Sequence, residues 1–124
     1  MTPAMFVTYR DSQSLYTYTG NTPEEAVAKA SAEYAAAKQH PDVVSVVGGY
    51  LVCDVRFLDD PKERTYTYHC SQWYRPDTKV WVPAIGRDGK PCEKQVRVLY
   101  TCIRTRQELE RVCPFDRYKT VCDH

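Results

Sequence analysis

One long stretch of this chain, and only one, repeats its apolar residues at helical spacing. Ala26, Val27, Ala30, Tyr34 and Ala37 fall on a single stripe. Thr22 before it suits a helix cap, Pro23 the first helical position, and Glu25 the far end of a capping box. Glu25 and Lys29 form an i,i+4 pair off the stripe, and His40-Pro41 stops the helix. The stripe is mostly alanine, so the helix can lie close against a sheet. Nearly everything else reads as strand or turn, which limits the fold to α+β.

Met5–Tyr9 and Leu15–Thr19, joined by polar Arg10 to Ser14, carry a hairpin signature. Val43 to Phe57 is a long strand candidate, with Gly48-Gly49 suggesting a bulge or tight turn inside it. Beyond the glycines, Leu51, Cys53, Val55 and Phe57 share one face, and Asp54 and Arg56 point the other way. Glu63 to Tyr74 alternates again, with Tyr66, Tyr68 and Cys70 opposite Thr65, Thr67 and His69 on a solvated side. Lys79 to Val82 is a brief edge strand ended by Pro83, and Gly86 to Pro91 is a strong turn signal. Gln95 to Arg104 is a last strand, with Val96, Val98, Tyr100 and Cys102 on one side. Thr105 and Glu108 look like a second capping box, opening a short helix to about Val112. The expectation is one α+β domain over residues 1–124. It has an antiparallel sheet of four to six strands, the Ala-rich helix packed on it, a short C-terminal helix and disulfide staples.

Those staples rest on cysteine usage. Six cysteines (Cys53, Cys70, Cys92, Cys102, Cys113, Cys122) stand in 124 residues, without a CxxC and without histidines at zinc-finger spacing. That pattern points away from a metal site and toward disulfides in an oxidising compartment, with buried reduced thiols as the alternative. Cys92 and Cys102 flank one strand of ten residues, about 33 Å when extended, and so do not pair. Cys113 and Cys122 enclose a short loop that can turn back. A Cys53–Cys70 bridge needs a bulge or slip between consecutive strands. The pairing expected is Cys113–Cys122, Cys70–Cys102 and Cys53–Cys92. On this reading the protein is secreted, periplasmic or extracellular, as a mature chain or as one domain of a larger exported one.

Net charge is +1, and no apolar run reaches the roughly 20 residues of a membrane span. From Arg87 onward nine basic residues face six acidic ones. A nucleic-acid surface can use such a balance, but Glu108, Glu110 and Asp116 are interleaved, as on a solvated face. The chain has no GxSxG, HExxH or P-loop pattern. His69 reads either as a base or ligand, or as a polar residue on the solvated strand face. Asp59-Asp60 fits a turn, and Glu24-Glu25 a helix N-terminus.

The most suggestive group is aromatic: Tyr66, Tyr68, Trp73, Tyr74 and Trp81. Such residues offer large, stiff contact area at low entropic cost, although tyrosine is also an ordinary strand former. The order of helix, Cys-bearing strand, aromatic strands and Cys-Pro tail resembles small N-terminal domains of exported bacterial proteins. The types concerned are YD-repeat (Rhs-type) toxin carriers and filamentous-phage-like attachment proteins. The leading expectation is a non-catalytic binding or assembly module, with no cofactor, contacting a protein or glycan partner through the aromatic residues. The alternatives are a small secreted nuclease-type toxin, with His69, Arg97, Arg104 and a tyrosine in one cleft, or an inhibitor or immunity-type protein.

Overall fold

The structure is a computed structural model that describes residues 1–122. Six strands and a main helix are strung in the order β1 (Pro3–Tyr9), β2 (Gln13–Thr17), α1 (Pro23–Gln39), β3 (Val43–Phe57), β4 (Tyr66–His69), β5 (Lys79–Ile85) and β6 (Pro91–Arg104). A short helix α2 (Arg106–Glu110) and a 3-10 turn at Phe115–Arg117 follow. All named strands pair antiparallel, in the order β2-β1-β3-β6-β5, with β4 also on β3.

The long strand β3 organises the sheet. Along one edge it pairs first with β1, through Val43 to Tyr50, and then with β4, through Val52 to Val55. Its other edge carries β6 from Tyr50 to Phe57. Gly48-Gly49 does not interrupt it, contrary to expectation. The glycines are there for close approach: a Cβ at Gly48 would stand 2.9 Å from the Tyr34 ring, and one at Gly49 would run into the Arg104 carbonyl.

Parity also changes once inside β6. Asp54 faces Tyr100 but Val55 faces Val98, so Leu99 is an extra residue in β6 and the ladder is bulged there. Val96 and Val98 therefore lie with Val55 on the inner face, whereas Tyr100 and Cys102 lie with Asp54 and Val52 on the outer one. The four do not share a side as their spacing suggested. Pro83 does not end β5. The neighbouring Trp81 carbonyl turns outward to accept from Cys122, so Pro83 also presents its N–H-less nitrogen to the outer edge and costs the ladder nothing.

The sheet curls into a half-barrel around Leu51, Cys53, Val55, Tyr68, Cys70, Val80, Val82, Val96, Val98 and Val121. Val121 comes from the tail, which bridges the two ends of the curl. Its backbone bonds His69 through Lys119 and Val121, and Trp81 through Cys122. The outer face is covered twice. α1 lies over β1 and the first half of β3, while Leu109 of α2 and Phe115 pack on Val52.

The helices start as the residues predict. Thr22 Oγ1 accepts from Glu25 N at 3.3 Å, and the Glu25 carboxylate accepts from Asn21 N instead of Thr22 N. At α2 the box is complete between Thr105 and Glu108. Ala26, Val27, Ala30, Tyr34 and Ala37 are the only α1 residues not exposed, so the stripe is the packed face. It packs loosely, leaving a cleft of about 400 Å³ above Gly48 and Gly49.

None of the six cysteines is in a disulfide. Cys70 lies in the inner core and Cys102 against the outer cluster, so the sheet stands between them. Cys92 is exposed opposite Ala84, nine residues along β6 from the Thr101 that faces Cys53. Cys113 and Cys122 are not bridged to each other either. Instead the Cys53 and Cys70 thiols are neighbours on the inner face.

Candidate binding surface

The five aromatic residues do not form one surface. Tyr68 is a core residue, and Tyr74 is half-buried against the core, with its N–H donating to Thr101 Oγ1 at 3.1 Å. Tyr66 stands edge-on to Phe57 with ring centroids 5.3 Å apart. Trp81 is exposed on the strand face opposite to Val80 and Val82, next to the tail bridge. Trp73 leaves the group altogether and lies against Phe6 of β1, with centroids 6.2 Å apart.

That last contact marks a patch the sequence did not reveal. Phe6 is in register with Leu15 of β2 on one side and Val47 of β3 on the other. Opposed residues of antiparallel strands project to the same face, so Leu15, Phe6 and Val47 form a row across three strands. Met5, Val7 and Gly48 project the other way, under α1. The row therefore occupies the sheet face that neither helix covers. Val47 is 49% exposed and Trp73 46%. The small residues Ala4, Thr17 and Gly49 flank the row toward the core, and Thr8, Gln13 and Ser45 flank it on the far side. Alternation in Met5 to Tyr9 marked two faces but not which of them a helix would cover.

The residues considered for catalysis are engaged elsewhere. His69 is on the outer face but only 3% exposed, not solvated, and its ring sits edge-on to Tyr50, Phe115 and Tyr118. Burial, with the N-terminal ammonium adding to it, pushes its pKa down to about 4. Its Nδ1 is buried without a hydrogen-bond partner, so the neutral ring is the stable form. Arg104 is held by Asp54, its Nη1 at 2.9 Å and Nη2 at 2.8 Å from the two carboxylate oxygens. Thr67 donates to the same carboxylate at 2.5 Å, and Tyr100 donates to it as well. Asp54 is 5% exposed, and burial alone would raise its pKa. The hydrogen bonds from Arg104, Thr67 and Tyr100 outweigh that and hold it below the usual value. Its oxygens are thus committed to tying β3, β4 and β6 together. Arg97 lies seven residues from Arg104 along β6, on the order of 20 Å away, beside Asp77 at 3.7 Å. The cleft required of a nuclease is not assembled from His69, Arg97 and Arg104.

Among the described residues no group of three or more His, Cys, Asp or Glu side chains is placed to hold a metal ion. Among the described residues no helix is long and apolar enough to cross a membrane. No protein-family model, curated protein or solved structure matches the chain.

Proposed function

We propose that this chain is a non-catalytic binding or assembly module whose partner is a protein, contacted through Leu15, Phe6, Val47 and Trp73. The observation that carries the reading is this in-register row on the uncovered face of the sheet, capped by a half-exposed tryptophan. A stiff aromatic pair among aliphatic side chains supplies buried contact area at little entropic cost. Leu15 and Val47 carry no hydrogen-bonding groups, which favours a protein surface over the hydroxyl-rich face of a glycan. Of Tyr66, Tyr68, Trp73, Tyr74 and Trp81, Trp73 is the one that joins this row.

A photo-crosslinking residue at Val47 tests the proposal in extracts of the source cells, with the same residue at exposed Val112 as the control. A discrete protein adduct from position 47, absent from 112 and lost in Trp73→Ala, is the expected result. Equal labelling from both positions overturns it. Incubation with RNA and DNA is the parallel arm, and turnover of either would restore the nuclease alternative.

A further inference from the structure

Among the described residues the outer edges of β4, β5 and β2 have no strand partner, nor has the β6 side of β3 before Tyr50, and the first two of these edges are guarded. The outer edge of β4 is bonded by the tail, with His69 N donating to Lys119 O at 2.9 Å and Val121 N to His69 O at 2.8 Å. The outer edge of β5 carries Lys79 and Pro83, and Cys122 N donates to Trp81 O at 2.9 Å. Lysine, proline and covering segments are the usual means of keeping an edge from pairing with another chain. The edge of β2 has none of them.

Its hydrogen-bonding groups can be assigned. Tyr18 N donates to Pro3 O and Tyr9 N to Ser12 O, so Ser12, Ser14, Tyr16 and Tyr18 turn their backbone groups toward β1. Gln13, Leu15 and Thr17 then turn theirs outward. Between Asp11 and Glu24 the chain has no charged residue, so nothing repels an approaching strand.

We propose that β2 pairs antiparallel with β2 of a second copy about a two-fold axis at Leu15. That register is the one in which outward groups meet: Leu15 opposes Leu15, and Gln13 opposes Thr17, each pair exchanging two backbone hydrogen bonds. The same symmetry sets Asp11 opposite Thr19 of the second copy. The Thr19 carbonyl accepts from Lys29 Nζ at 3.1 Å, so an acid meets a base at each end of the ribbon. The pairing rests on the edge geometry and not on the contact patch. Its consequence for that patch is to join two rows of Leu15, Phe6 and Val47 into one continuous face.

Light scattering and sedimentation across a concentration series test the pairing. Gln13 and Thr17 are both exposed, so charges there leave the monomer fold intact, as matching melting curves will check. The wild-type chain is expected to be a dimer. Q13K/T17K opposes lysine to lysine at both ends and should weaken the dimer about tenfold. Q13K/T17E opposes lysine to glutamate and should restore it. A wild-type chain that stays monomeric overturns the proposal. So does a dimer that ignores Q13K/T17K, which would place the interface elsewhere, and so does failure of Q13K/T17E to recover, which would rule out the register.

Discussion

The sheet has two halves built to different standards. In the half formed by the end of β3 with β4, β5, β6 and the tail, the inner face closes on a core in which Leu51, Val55, Val82, Val96 and Val98 have no exposure at all. The outer face there is sealed by Leu109 and Phe115 and fastened by the Asp54–Arg104 pair. In the half formed by β2, β1, the start of β3 and α1, one face carries no helix, only Trp73 against Phe6 and the core edge against Leu15, and the other holds a cleft under an alanine helix. Of the largest fully buried side chains, all but Val7 lie in the first half. The second has surface to spare, and that is where contacts with other molecules are expected.

The comparison breaks most visibly if the tail is not needed. Val121 is buried in the inner core, so Val121→Asp should cost several kcal/mol by burying an unpaired charge. Val47→Asp in the second half should stay within about 0.5 kcal/mol. Thermal melts giving similar losses for the two would erase the distinction. Asp54→Ala comes next, at about 3–5 kcal/mol, because it leaves the Arg104 guanidinium partly buried without its carboxylate. An urea midpoint close to wild type would show the fastening to be dispensable.

A third test uses pH. His69 has a folded pKa of about 4 against an ordinary 6.5, so the unfolded chain binds the proton first. The stability tied to the neutral ring is complete above pH 6.5 and drains away as pH falls toward 4. Asp54, whose folded pKa is depressed, adds its own loss at lower pH still, as the carboxylate is protonated. Unfolding midpoints measured from pH 8 to 4 should fall across the histidine window in wild type, and by much less in His69→Phe. A flat profile would mean that the ring is hydrated. The smallest effect is a difference in rate. Cys92 is exposed and should react promptly with a thiol reagent in the native protein, whereas buried Cys53 and Cys70 should wait for unfolding. Six thiols titrating after denaturation match the structure, and fewer would return the oxidised, exported reading to the front.

Some of this was readable from residue order. The α1 stripe, both Thr caps, the β1–β2 hairpin and the face assignment of Leu51, Cys53 and Val55 all follow from local periodicity and capping chemistry. Other features were not. The bulge at Leu99 is invisible in an unbroken alternation, yet it moves Tyr100 and Cys102 to the opposite face and makes the Asp54 cluster possible. The Cys70–Cys102 pairing failed for the same reason, since the bulge sets Cys102 on the outer face while Cys70 lies in the inner core.

The sequence by itself determined which segments are strand and which are helix, because backbone preference and side-chain periodicity act over a few residues. It also determined that β2 would be free of charge. Only the tertiary structure decided which face of each strand is covered. Residues far apart in the chain set that outcome: Val121 closing the inner core, Phe115 sealing His69, and α1 choosing the Met5 face over the Phe6 face. Coverage depends on where a helix or tail finds room to pack, and no local pattern encodes that. The row at Leu15, Phe6 and Val47, half-buried at its first two positions and exposed at Val47, is what this packing left without a helix.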